Sequence, residues 1–277
     1  MIKIFLLANG RSGTKFLSDL FKYNVKNCIS KHEPFPDMFG KPIYWYQQGN
    51  KKEIQRLFKW KKDRINRYNA SVYLETNHAF LKSFSDVAIE FFPDMKLIHL
   101  IREPIKTAKS ELNRHLTINN LHIPFSYTKG HNGKKYSRYS LTGDEDIYKS
   151  IGSNNISLFQ KYILQWIEIE NRAIKFLDKY KKHDDCFTMQ SPKDFNDYNK
   201  LERLFKFFNL ELKSEKILIK GKKNKNVKPT IITDEDKKQF EEIINRLPIE
   251  YLRIFQKEPY NRFEWASTLK PKNFKDM

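Results

Sequence analysis

Apolar and polar positions fall into blocks along this 277-residue chain, and the blocks predict strands separated by helices. The run at 2–7, IKIFLL, has the short apolar character of a strand, and a helix is expected from about Thr14 to Tyr23. SVYLET at 71–76 predicts another strand, followed by a helix from His78 to Phe92. MKLIHLI at 95–101 is almost continuously apolar, as a strand covered on both faces would be, and Pro104 suits the first turn of the next helix. Ile156, Phe159, Ile163, Trp166, Ile167, Ile174 and Leu177 recur mostly at three- and four-residue steps in one long helix over 154–181. DCFTMQ at 185–190 is a fourth strand, and further helices are expected at 51–68, 198–210 and 234–246. Two stretches have no period: 30–50, rich in Pro, Gly and aromatics, reads as an ordered loop, and 117–150 as a loop long enough to be functional. Strands alternating with helices predict an α/β protein, a three-layer sandwich around a central parallel sheet. A single domain over 1–277 is expected, with 117–150 inserted into it.

Composition narrows the function classes. Hydrophobic residues at 39 %, with 14 % aromatics, exclude a disordered chain. Against 33 Asp and Glu stand 52 Lys and Arg, a net charge of +19. That charge attracts anions, whether nucleic acid, a highly anionic nucleotide, an acidic glycan or an acidic membrane. Cys28 and Cys186 are far apart and have neither metal-ligand nor disulfide spacing. The apolar run at the N-terminus is too short for a signal-peptide core, and no window approaches eighteen apolar residues. A soluble protein of a reducing compartment, the cytoplasm, is expected.

The chemistry begins at FLLANGRSGTKF, residues 5–16, where a strand passes into a helix through Gly10-Arg11-Ser12-Gly13-Thr14. Glycines let backbone N–H groups approach oxygens closely, and a helix beginning at Thr14 adds its positive end. Arg11 and Lys15 bring charge, and Ser12 and Thr14 bring hydroxyls. The loop is not that of the nucleoside-triphosphatases, which requires Gly-Lys-Ser/Thr, whereas Gly13 is followed by Thr14 and then Lys15. Further on, LIHLIREPIKTAKSELNR puts Arg102 at a strand end and Ser110 eight residues later, two turns into the next helix.

These two elements together resemble the nucleotide-binding signatures of the PAPS-dependent sulfotransferases, carbohydrate, heparan-type or bacterial. The resemblance covers roughly residues 1–116 well and 154–245 loosely. It implies a fold like that of the P-loop NTPases and transfer of a sulfuryl group from PAPS to an acceptor hydroxyl or amine, with no metal. The first loop, Arg11 to Lys15, would hold the 5′-phosphosulfate, and Arg102 and Ser110 the 3′-phosphate. HEPFPDMF is similar to the acidic motif of the carbohydrate branches, which makes Glu33 the expected base and tilts the acceptor towards a carbohydrate. YLETNHAF puts His78 where the cytosolic branch has a catalytic histidine, so both residues stand as candidates. IKGKKNKNVKP resembles the basic loop that closes over the nucleotide, with Lys222 and Lys223 as contacts. The chain departs from the pattern in having Arg11 for the usual lysine and Lys15 for a threonine, which leaves open which of the two neutralises the leaving oxygen.

Two other readings compete. An ATP-dependent phosphotransferase would share the sheet and the loop, but it would need Gly-Lys-Ser/Thr and an Asp after LIHLI. A basic nucleic-acid-binding module without catalysis would use the helix at 51–68, where Phe58 and Trp60 interleave with eight Lys and Arg.

Overall fold

The structure, a computed structural model, describes residues 1–121, 126–152, 156–219 and 230–270. Five parallel strands, β1 (Ile2–Ala8), β2 (Cys28–His32), β3 (Val72–Thr76), β4 (Lys96–Arg102) and β7 (Cys186–Ser191), form one sheet in the order β2-β3-β1-β4-β7. Strands β5 (Tyr127–Lys129) and β6 (Lys135–Ser137) make a separate antiparallel hairpin. The helices are α1 (Thr14–Asn24), α2 (Lys41–Gln47), α3 (Lys51–Asn66), α4 (Ser85–Phe91), α5 (Pro104–Asn120), α6 (Asp146–Ile151), α7 (Leu158–Tyr180), α8 (Tyr198–Phe207) and α9 (Asp234–Arg246).

β1 is central because both its faces are apolar. Phe5 and Leu7 join Phe58, Phe80, Phe84 and Phe176, contributed by α3, the turn before α4 and α7. Ile4, Leu6 and Ala8 face the other way, onto Leu17 and Phe21 of α1 and Leu204 and Phe205 of α8. Helices therefore cover both faces of the sheet, and each fully buried Leu or Phe contributes about 1.5–3 kcal/mol. A further cluster around Trp166 joins α5, α7 and α9 to the C-terminal turns. Among the described residues, no helix is long and apolar enough to cross a membrane. Cys28 and Cys186 are free and open the two opposite edge strands.

Several expectations need correction. Residues 28–32 form a fifth strand, and 41–47 form α2 inside the segment expected to be a loop. The helix expected from His78 begins later, with a π turn over Phe80–Phe84 whose five residues are all buried. The stretch 117–150 is not one loop, since α5 runs on to Asn120 and the hairpin and α6 follow. α7 starts at Leu158 rather than 154, where the Ser157 hydroxyl caps the Gln160 N–H and the Gln160 side chain returns the bond.

Candidate functional site

The order of the strands decides where a ligand can sit. From β1 the chain moves to β2 and β3 on one side, and from β4 it moves to β7 on the other. The crevice beyond the carboxyl ends of β1 and β4 is thus the switch point at which open α/β sheets bind ligands. The loop at 10–14 leaves one of these strands, and Arg102 ends the other.

The loop is anchored from behind. The Asn9 side chain donates to Glu170 Oε1 at 2.8 Å, and Glu170 also accepts from Tyr260 at 2.8 Å and contacts His99 Nε2 at 2.9 Å. Gly13 takes φ +93° directly before α1, a conformation that favours glycine. At Gly10 a Cβ would lie 2.0 Å from Glu111 Oε1, so its missing side chain admits a carboxylate of α5. Arg11 has φ +59°, a left-handed backbone at a non-glycine residue, of the kind found where function fixes geometry.

Three features make this corner receptive to an anion. The first turn of α1 has no acidic residue and no side-chain cap, so its positive end is not neutralised there. Ser12 is fully buried, and among the described residues its hydroxyl has no hydrogen-bond partner. Arg11 and Arg102 converge: Arg102 Nη1 donates to the Arg11 carbonyl at 2.5 Å, and Arg11 Nε donates to Ser110 Oγ at 3.2 Å. Burial lowers the pKa of both guanidiniums, and Arg11 lowers that of Arg102 further. Trp166 Nε1 donates to the Arg102 carbonyl at 3.0 Å and so fixes the strand end. Lys15 reaches down its own helix to Asp19 at 3.1 Å, while Thr14 is buried at the first position of α1.

A second cluster lies at the neighbouring strand ends. β2 pairs with β3 so that His32 is level with Thr76, and His32 Nδ1 lies 3.0 Å from the Thr76 carbonyl. The next residues of both strands therefore meet. Glu33 Oε1 is 3.5 Å from His78 Nε2 and 3.8 Å from His32 Nε2. The two residues expected as alternative bases are neighbours. Burial pushes the Glu33 carboxyl up to about 7, against the pull of Arg114 and Lys82. His78 is driven well below its ordinary value by burial and by Lys82, Arg114, His32 and Arg11.

The loop carrying Glu33 is fastened by a buried ion pair. Lys61 of α3 donates to Glu75 at 2.8 Å and to the Pro34 carbonyl at 3.2 Å, and Tyr73 and Asn77 bond the same carboxylate. Asn77 also donates to the Asp37 carbonyl at 2.9 Å. Phe58 and Lys61 thus turn inward from the basic helix, whereas Trp60 is exposed.

The sequence did not single out Lys82, Glu111 and Arg114, which complete the site. Lys82 is wholly buried in the π turn, 3.2 Å from His78 Nδ1 and 2.7 Å from the Tyr139 carbonyl. Arg114 lies 3.6 Å from Glu111 and over the Tyr139 ring at 4.1 Å. The four-residue step from His78 to Lys82, and the step from Glu111 to Arg114 just after Ser110, were the available signals. A cleft lined by Glu111, Arg114, His115, Tyr139, Ser140 and Tyr162 opens between α5 and the hairpin. Tyr44 and Tyr136 are packed against each other and buried. Lys222 and Lys223 lie outside the described residues.

No protein-family model matches the chain, and no curated protein matches it. Among solved structures, a sulfotransferase from Alicyclobacillus acidocaldarius is similar in shape, with a TM-score of 0.46 at 14 % identity over 89 % of this chain and 94 % of that one.

Proposed function

We propose that the chain is a sulfotransferase with a P-loop-like nucleotide site, moving a sulfuryl group from PAPS to a hydroxyl or amine of an acceptor, with a carbohydrate favoured. The observation that carries this reading is the convergence of Arg11, Arg102 and Ser110 from two strand ends, beside a buried Ser12 hydroxyl with no hydrogen-bond partner among the described residues. Two desolvated guanidiniums side by side repel each other, and a bound anion between or beside them relieves that repulsion. A nucleotide with phosphates at both ends supplies anionic groups for both strand ends. Arg102 stands where a magnesium-dependent phosphotransferase would need a carboxylate, which favours sulfuryl over phosphoryl transfer.

PAPS supplies an activated sulfuryl group on a phosphate leaving group. Arg11, the Ser12 hydroxyl and the first-turn N–H groups of α1 would bind and stabilise that phosphate as charge builds on it. Arg102 and Ser110 would hold the 3′-phosphate. The acceptor, entering from the cleft beside α5, forms its O–S bond as the S–O bond to the phosphate breaks, and its proton passes to Glu33. A carboxyl with a pKa near 7 is well matched to that proton at neutral pH.

Titration calorimetry with adenosine 3′,5′-bisphosphate tests the reading. Binding of the bisphosphate, weakened in Arg102→Ala, with no binding of ATP and magnesium, is the expected result. Binding of ATP and magnesium in preference to the bisphosphate would favour phosphoryl transfer. Steeply salt-dependent binding to nucleic acid with no response to either nucleotide would favour the nucleic-acid reading.

A further inference from the structure

Lys82 has no part in the nucleotide site, yet it is a fully buried lysine touching a candidate catalytic side chain. Burying an ammonium is costly unless it is well bonded. The π turn over Phe80–Phe84 carries it inward, and among the described residues its hydrogen-bond partners are the Tyr139 carbonyl and the His78 ring.

An ammonium can only donate. If Lys82 is charged, His78 Nδ1 must be the accepting nitrogen, and the single proton of the neutral ring must be on Nε2. Nε2 is the atom 3.5 Å from Glu33 Oε1. The ring therefore turns an N–H towards the carboxylate, and it has no free lone pair with which to take a proton from an acceptor. We propose that Lys82 fixes the Nε2–H tautomer of His78, and that Lys82 and His78 act as positioning residues that orient Glu33 as the proton acceptor.

This inference rests on the functional reading above only for the role of Glu33; the tautomer is independent of it. The 3.5 Å separation is long for a hydrogen bond, and such contacts in ligand-free sites commonly shorten when substrate binds. One carboxylate oxygen is thus directed to the imidazoles, which leaves the other for the acceptor. Charged and titratable groups face this cluster from every side: His32 and Asp37 from the segment around Glu33, Arg11 from the loop, Glu111 and Arg114 from α5, and Arg172 from α7. Burial and the neighbouring cations hold His78 neutral, as the tautomer requires, and Lys82 retains its proton up to a pKa of about 8.

Two-bond 1H–15N correlation spectra of 15N-histidine-labelled protein test this directly, with His78 assigned by its loss in His78→Gln. At pH 7 the His78 signal is expected in the pattern of a ring protonated at Nε2 alone. In Lys82→Met that pattern should give way to a mixture of tautomers, with the Glu33 titration moved upward. If Lys82→Met does not fold, raising the pH of the wild type from 7 to about 9.5 removes the ammonium proton instead and should mix the tautomers. A proton on Nδ1 in the wild type overturns the proposal, as does a tautomer unmoved both by Lys82→Met and by that pH change. Absence of bisphosphate binding in the wild type would remove the functional reading and leave the tautomer result standing.

Discussion

Replacing Glu33 by Gln isolates the least ordinary carboxyl of the site. Its pKa rises from 4.5 to about 7; burial is the largest cause, opposed by Arg114 and Lys82 and assisted by Asp37 and Glu111. That gap of about 2.5 pH units, at about 1.4 kcal/mol each, is roughly 3 kcal/mol against the ionised form in the folded state. The figure is an upper one, because 28 % of the side chain still meets solvent. The sign follows from linkage. The folded protein holds this proton more tightly than the unfolded chain, so Glu33 costs nothing below about pH 4.5. Stability falls as pH rises from there through about 7, and it stays lower above. Glu33→Gln has no such slope. Urea unfolding of both proteins from pH 4.5 to 8 should therefore show the variant gaining on the wild type by up to roughly 3 kcal/mol across that range. Turnover should show the opposite preference. About half of Glu33 is ionised at pH 7 and about a tenth at pH 6, which gives an acid limb centred near 7. Loss of the base should lower turnover by about 10²–10⁴-fold and abolish that limb. Parallel stability curves would refute the buried carboxyl, and undiminished turnover in Glu33→Gln would refute its role.

Other expectations follow from single contacts. Arg102→Ala removes a charged donor, worth about 1.5–3 kcal/mol, and should weaken bisphosphate binding by roughly 10- to 150-fold in calorimetry; an unchanged dissociation constant would refute the two-ended grip. Gly13→Ala puts a Cβ 2.6 Å from the Phe195 ring at φ +93°, so left-handed strain of about 1–2 kcal/mol adds to displacement of a ring stacked on Phe16. Its urea midpoint should fall, and an unaltered midpoint would mean that the loop relaxes freely. Glu75→Gln leaves Lys61 a buried cation without its counter-charge and should cost about 3–5 kcal/mol in the same assay; a loss under about 1 kcal/mol would show that water or Pro34 satisfies it.

The central strands were legible because burial on both faces leaves an unbroken apolar run, as in MKLIHLI. β2 was not, because Cys28-Ile-Ser-Lys-His32 is a partly exposed edge strand whose pairing with β3 comes from the fold and not from its own composition. α2 was hidden by Pro42 and by flanking glycines that mark its ends rather than an irregular stretch. At the site, the loop, Arg102 and Ser110 were readable as local patterns with fixed spacing. The contact between Glu33 and His78 was not readable, since it depends on β2 lying beside β3. Gly10 carried a misleading message as well. Its glycine pointed to a close phosphate, whereas the group that occupies the space is the Glu111 carboxylate.

That carboxylate bears on why the site collects so many cations. Arg11, Arg102, Arg114 and Lys82 gather around Glu33 and Glu111, and burial lowers the pKa of Arg11 against the pull of both carboxylates, with Arg114 lowering it further. A surplus of positive charge attracts an anionic nucleotide, but attraction alone would not require Arg114 to lie beside Glu33. Every negative charge brought in near Glu33 makes its ionisation harder. Arg114 is the largest influence holding the Glu33 pKa down, followed among the cations by Lys82. In the proposed reaction these two would offset the donor's charge at the base, while Arg11 and Arg102 take up the phosphates. On that proposal the cations divide into a pair that grips the phosphates and a pair that keeps Glu33 usable as a base once the grip is filled.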